Sequence, residues 1–151
     1  MDTLAIERAV ENDLLALLAP LPRHRLGAHL GENPDYAAGR VAVGAEVRGD
    51  ALGAGTGPSG YYLVDVTLDC AVYAADDPDS ATLDALVSAV RAITLDSALL
   101  AALNAISPAV TYHGWDLGPC PLTLDGRLRR RALTFSLWLN PCNATTTTTT
   151  T

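Results

Sequence analysis

Apolar and polar residues alternate along several stretches of the chain, which is the pattern of strands that bury one face. The longest such stretch is residues 61–74 (YYLVDVTLDCAVYA), and similar alternation covers residues 40–48 (RVAVGAEVR) and 126–140 (GRLRRRALTFSLWLN). Residues 110–117 (VTYHGWDL) predict a further strand. The side chains of the two longest stretches that are expected to face the core are Tyr62, Val64, Val66, Leu68, Cys70 and Val72, then Leu133, Phe135, Leu137 and Leu139.

The first segment has the period of a helix with one buried face. Asp2 or Thr3 is placed to cap its start, and Pro20 ends it. The side chains expected to face the core are Ile6, Val10, Leu14, Leu17 and Leu18, and those expected to face solvent are Glu7, Arg8, Glu11 and Asp13.

An acidic corner predicts the start of a second helix. Asp77 is the expected N-cap, since Pro78 fits the first helical position and Asp79 favours the positive end of the helix dipole. A second capping signal at residues 94–97 predicts that this helix breaks and restarts before Pro108 ends it. The residues at core spacing are Leu83, Leu86, Val87, Val90, Ile93, Leu99, Leu100 and Leu103.

The segments between these elements predict irregular structure. Residues 23–39 are polar and without a clear period, residues 49–60 contain five glycines, and the proline-flanked residues 118–121 predict a bend. The sequence therefore predicts an α+β fold with a mainly antiparallel sheet of about four or more strands, flanked by an N-terminal helix and a central broken helix. We expect a single domain at residues 1–142, followed by a low-complexity, threonine-rich tail at residues 143–151.

The amino-acid composition excludes or disfavours several classes of function. The formal charge is −7 and the chain contains no lysine, which argues against nonspecific nucleic-acid binding and excludes a Walker-type lysine or a Schiff base. Three cysteines without metal-ligand spacing indicate reduced thiols inside a cell. Acidic residues near the N-terminus argue against a signal peptide or membrane anchor, and no apolar run reaches the roughly 18 to 20 residues needed to span a bilayer.

Candidate catalytic or ligand-binding motifs are weak. Gly55, Gly57 and Gly60 match the dinucleotide-binding pattern G-x-G-x-x-G, but a strand follows them where that motif needs a helix. The acidic corner lacks the further ligands of a calcium loop, and His24 and His29 are wrongly spaced for a zinc pair. We therefore expect no catalytic residues, no metal and no cofactor.

Charged clusters remain as candidates for contact surfaces. The dense basic run comprises Arg127, Arg129, Arg130 and Arg131. It is interpreted either as a solvated strand end or as an interface patch, since arginine binds carboxylates in pairs. Asp76, Asp77 and Asp79 offer a complementary patch on a second copy, and head-to-tail contact of this kind generates a ring or a filament. Gly55, Gly57 and Gly60 lie in the predicted flexible loop at residues 49–60 and are further candidates for a contact surface.

The order of elements resembles that of the tail terminator and tail-completion proteins of long-tailed bacteriophages. The stretches that carry the resemblance are MDTLAIERAVENDLLALLAPL, YYLVDVTLDCAVYA and GRLRRRALTFSLWLNP. The resemblance implies a structural virion protein, assembled in the host cytoplasm, that forms a hexameric ring at the head-proximal end of the tail. Its implied partners are the tail-tube protein and the head-side connector, with DNA as passing cargo and no membrane.

Other functions stay open. Another neck component or a tail-tube subunit shares this α+β plan, although a tube subunit is typically richer in strand. A small intracellular enzyme or ligand-binding domain is the alternative from a different class, and it requires a pocket with convergent polar groups.

Overall fold

The computed structural model describes residues 2–27, 35–48 and 61–142, and within them the predicted α+β fold is confirmed. The described residues form three helices: α1 (Thr3–Leu17), α2 (Ala81–Thr94) and α3 (Leu99–Ile106). A 3₁₀ turn at Ala74–Asp76 precedes α2. The same described ranges contain six strands: β1 (Arg23–Arg25), β2 (Arg40–Val47), β3 (Tyr62–Tyr73), β4 (Val110–Leu117), β5 (Leu122–Asp125) and β6 (Leu128–Pro141).

The strands form one sheet in the order β1-β2-β3-β6-β4. The strand β5 pairs with the same side of β6 as β4 does, but along a different part of β6. Only β1 and β2 are parallel among the described strands. The long strand β3 pairs along its whole length with β6, from Tyr62 opposite Leu139 to Tyr73 opposite Leu128. This pair forms the centre of the sheet.

One face of the sheet packs against the helices. The predicted core positions of β3 and β6 from Val64 to Val72 and from Leu133 to Leu139 are buried, as are Ile6, Val10 and Leu14 of α1. Asp2 caps α1 as predicted, accepting a hydrogen bond of 2.7 Å from the amide of Ala5. The predicted break in the central helix is also confirmed, because α2 ends at Thr94 and α3 follows at an angle of 75°.

Two short strands were not predicted. Residues 23–25 lie in a segment predicted to be an extended connection, and they pair with β2. The strand β5 forms a hairpin with β6 whose two loop residues are Gly126, at φ 58°, and Arg127. Glycine at the first position of a two-residue loop is a hairpin signal of the type II′ turn, so Gly126 between alternating residues did contain this information.

Among the described residues, no single helix is long and apolar enough to cross a membrane. The bent pair of α2 and α3 meets that test by length and composition, and both helices contribute buried residues to the core.

Candidate assembly surfaces

The acidic corner caps α2, but not in the predicted way. The helix begins at Ala81, so Pro78 lies in the preceding turn and not at the first helical position. Asp77 is 1% exposed and reaches into the helix from outside it. Its two carboxylate oxygens accept hydrogen bonds from the amides of Thr82 (2.8 Å) and Leu83 (3.0 Å). The prediction of Asp77 as N-cap residue was therefore wrong in position, although its carboxylate does satisfy free amides of the first turn.

The charge of Asp77 is stabilised where it lies. Burial raises the pKa of Asp77, but the backbone amides of Thr82 and Leu83, together with the nearby Arg129, outweigh burial and hold the pKa below its usual value. Asp77 is thus occupied inside its own chain. Of the other two corner carboxylates, Asp79 is exposed and accepts a hydrogen bond of 3.2 Å from the Ala81 amide, and Asp76 is exposed.

The basic run lies within the sheet. Residues 128–131 of β6 pair with β3 on one side and with β5 on the other, so this half of the strand does not project from the sheet. The interpretation as a projecting, solvated strand end is therefore wrong for residues 129–131, which are partly buried. It fits only Arg127, which is exposed in the hairpin loop.

Each of the three arginines in β6 has a partner within the chain. Arg130 forms ion pairs with Asp69 and with Asp125, the latter at 2.7 Å, and the hydrogen bond to Asp69 is the main cause that raises its pKa. Arg129 donates to the hydroxyl of Ser80. Arg131 donates to the carbonyl oxygen of Cys120 at 3.3 Å. These three side chains are therefore already bonded to groups of their own subunit.

The basic run and the acidic corner are neighbours in one subunit. The amide of Ala74 donates to the carbonyl of Arg127 at 2.8 Å, and Arg129 lies close enough to lower the pKa of Asp77. A depression of about 510 Å³ between them is lined by Tyr73, Ala74, Ala75, Asp76 and Arg127. The charged groups of the two clusters that stay exposed for a partner are Arg127, Asp76 and Asp79. The interface assignment stays a prediction for these three, whereas Gly55, Gly57 and Gly60 lie outside the described residues.

The sheet face away from the helices carries charges that neutralise each other. Arg48 forms an ion pair with Asp65 at 2.6 Å, and the hydroxyl of Ser136 donates to the same carboxylate at 2.8 Å. The hydrogen bond from Arg48 is the main reason that the pKa of Asp65 lies below its usual value. The second such group on this face is the pair of Asp69 with Arg130.

The edge of the sheet at β2 is closed by carboxylates of α1. Glu11 accepts a hydrogen bond from the Ala45 amide (3.1 Å), and Glu7 accepts one from the Val47 amide (2.8 Å). Glu11 also forms ion pairs with Arg8 and Arg25. The expectation that Glu11 faces solvent was wrong, because its side chain is buried with the Ala45 amide of β2 as a hydrogen-bond partner.

Asp13 was also predicted to face solvent, and it is buried. Its carboxylate accepts a hydrogen bond of 2.6 Å from the hydroxyl of Tyr112 in β4. Burial is the main cause that raises the pKa of Tyr112, and the hydrogen bond to Asp13 adds to it. This contact joins α1 to the far side of the sheet. The helical period alone could not reveal it, since its partner is 99 residues away.

The opposite side of the sheet carries an exposed apolar edge. Leu117 at the end of β4 is 60% exposed, and Leu122 and Leu124 of β5 are 53% and 71% exposed. By register, Leu117 lies opposite Phe135, Leu122 opposite Arg131 and Leu124 opposite Arg129, so the three leucines share one face. The pattern of apolar residues in the sequence does not distinguish them. We call these three residues the leucine edge.

The described residues show no cluster of three histidine, cysteine or acidic side chains that could hold a metal ion. Burial raises the pKa of the Cys70 thiol to about 12, so it is a weak nucleophile at neutral pH. A shallow groove of about 400 Å³ is lined by Tyr61, His113, Gly114 and Trp138. The imidazole of His113 lies there beside aromatic rings, and these four lining residues do not form a pair of a nucleophile and a general base.

Comparison with models of known protein families gives no match, and a search of curated proteins gives no significant match either.

Proposed function

We propose that this protein is a structural assembly protein of the tail-terminator kind, which forms a ring at the head-proximal end of a bacteriophage tail. The observation that carries assembly by contact is the leucine edge, whereas the ring is the form that the resemblance in element order implies. Three large apolar side chains, each more than half exposed, lie on one face at the outer side of β6. Leu122 and Leu124 are neighbours on β5, and Leu117 lies on the same face, four residues further along β6. Exposed large apolar residues grouped on one face of this kind mark contact surfaces between proteins.

The distribution of charge supports a function that depends on contacts with neighbouring proteins. Most charged groups in the basic run and the acidic corner have partners inside the subunit, which leaves Arg127, Asp76 and Asp79 at the surface. The net charge of −7 suits a ring through which DNA passes, because it repels phosphates. In this proposal the neighbours are the tail tube on one side and the head-side connector on the other.

The first test is the mass of the purified full chain by light scattering, with negative-stain imaging of the same sample. The proposal predicts rings, six subunits each. A protein that stays monomeric at every concentration and binds a small metabolite would contradict it and favour a ligand-binding domain.

The second test separates a terminator from a tube subunit. Disrupting the coding sequence in the phage should leave tails that are overlong or lack heads. Particles with no tails would instead identify a tube subunit.

A further inference from the structure

The strand β5 has an outer side that no other described element pairs with. In its hairpin, Asp125 opposite Leu128 closes the two-residue loop, and the Ala132 amide donates to the Pro121 carbonyl. Antiparallel pairing alternates, so residues 121, 123 and 125 direct their backbone groups toward β6. The amides and carbonyls of Leu122 and Leu124 therefore point outward.

An unpaired strand edge flanked by apolar side chains is a template for another strand. Here both features coincide, since the residues whose backbone groups have no strand partner within the described part of the chain are also the exposed leucines of β5. Pro121, which has no amide hydrogen, directs its backbone toward β6 and does not interrupt the outer edge. Two residues with complete donor and acceptor pairs are thus available.

We propose that β5 of one subunit pairs with β5 of a second copy, antiparallel and about a two-fold axis at Thr123. In this register Leu122 lies opposite Leu124 of the second copy, and Leu124 opposite its Leu122. The two Thr123 side chains face each other, and Asp125 lies opposite Pro121. Apolar residues meet apolar residues and no like charges are opposed, which is the pattern that stabilises cross-strand pairs.

The rest of the sheet favours a second copy of β5 over a head-to-tail extension. At the other side of the sheet, Glu11 and Glu7 occupy the amides of Ala45 and Val47. The terminal strand β1 has three residues, and the guanidinium of Arg40 binds the carbonyl of Arg23. On the β4 side, the side-chain amide of Asn104 binds both backbone groups of Tyr112. Each of these edges is at least partly occupied. The edge that best complements β5 is therefore β5 of a second copy.

This contact is two-fold, so it closes on itself and produces pairs of subunits. The proposed ring requires a different, head-to-tail contact. The pairing of β5 therefore goes beyond the ring proposal and does not depend on it.

A cysteine placed on the axis tests the register. Residues 123 of the two copies form a pair without hydrogen bonds between them, where Cα atoms are about 4.5 Å apart and a disulfide can form. In a Cys120→Ser, Cys142→Ser background, Thr123→Cys should give a cross-linked dimer under mild oxidation on a non-reducing gel. Leu124→Cys is the matched control, because the two residues 124 would be diagonal neighbours, too far apart to bridge. Equal cross-linking at both positions, or none at 123, overturns the proposed pairing.

Charge on the edge tests the energetics. Leu122→Glu with Leu124→Glu places like charges opposite each other across the axis, whereas within the subunit the new carboxylates face Arg131 and Arg129. We expect the dissociation constant of the dimer, measured by sedimentation velocity, to rise at least tenfold. Leu4→Glu, an equally apolar and exposed position on α1, should leave it unchanged.

The two proposals fail separately. A hexamer whose mass is insensitive to the substitutions at 122 and 124 would overturn the β5 pairing and leave the ring. A dimer that those substitutions dissociate, with no larger assembly, would support the β5 pairing and contradict the ring. Circular dichroism of each variant establishes that the subunit is folded.

Discussion

Single carboxylates of this chain have functions that their charge alone does not reveal. Asp77, Glu11 and Asp13 all lie in stretches whose charge suggested solvent or a partner, and all three are buried. Each accepts hydrogen bonds from a group of its own subunit. Buried polar groups need such partners, since leaving one unsatisfied costs about 1 to 3 kcal/mol. The local pattern showed where the charges are, but the partners are set by the fold.

The carboxylate of Asp77 should make the stability of the fold depend on pH. The pKa of Asp77 is lowered in the folded state, so its contribution is present above its unfolded pKa of about 3.9 and is lost as the pH falls through the folded value. We expect Asp77→Asn to lower the urea midpoint at pH 7, and the gap from wild type to narrow as the pH falls below about 4. Asp76→Asn, at an exposed carboxylate of the same corner, is the control and should show little difference at either pH.

The hydroxyl of Tyr112 should stabilise the fold through Asp13. Tyr112→Phe removes the donor and leaves the buried carboxylate without it, so we expect a loss of about 1.5 to 3 kcal/mol in the free energy of unfolding. Tyr61→Phe, at an exposed ring, should change this free energy by less than about 0.5 kcal/mol. Equal effects of the two substitutions in chemical denaturation would show that the contact with Asp13 contributes nothing.

At the scale of elements, strong periodicity predicted most of the fold. The strands β2, β3, β4 and β6 and the break between α2 and α3 were found within a few residues of their ends. The two missed strands are short and are stabilised by pairing: β1 is three residues beside β2, and β5 depends on the Gly126-Arg127 turn. The start of α2 was displaced by three residues, because Asp77 caps from across a turn and Ser80 takes a φ of 66°.

The helix α1 should protect the edge of β2. Glu11→Ala removes the acceptor for the Ala45 amide and the partner of Arg8 and Arg25. We expect the free energy of unfolding to fall by about 1 to 3 kcal/mol. Faster hydrogen exchange at Ala45, with little change at the centre of β3, would localise the effect to this edge. Glu46→Ala, at an exposed carboxylate of the same strand, is the matched control and should leave both readouts near those of wild type.

At the scale of the whole molecule, the candidate site was predicted in part. The sequence singled out the basic run and the acidic corner, and in the structure the two adjoin each other in one subunit. It did not single out the leucine edge, because Leu117, Leu122 and Leu124 come to share one exposed face only when β4 and β5 follow one another along β6. Contact surfaces depend on such juxtaposition, which periodicity does not record.

Arg127 is the residue of the basic run best placed to contact a neighbour. Its side chain is exposed, whereas its carbonyl is held by Ala74. We therefore expect Arg127→Glu to leave the subunit folded. The protein concentration at which rings form, measured by light scattering, should rise at least fivefold. Arg127→Lys retains the charge and should assemble nearly as wild type. Rings that form equally well with Glu at this position would remove Arg127 from the interface.

The closure of the β2 edge by Glu7 and Glu11 limits how far sheets of this protein can grow. In the language of polymer chemistry, a subunit with two reactive ends propagates a chain, whereas a subunit with one reactive end stops after a single coupling. With those amides occupied and the outer strands β1 and β4 partly occupied, β5 is the edge best suited to strand addition among the described strands, and its two-fold coupling uses that edge. A crowded solution of this protein should therefore hold discrete particles rather than cross-β fibres.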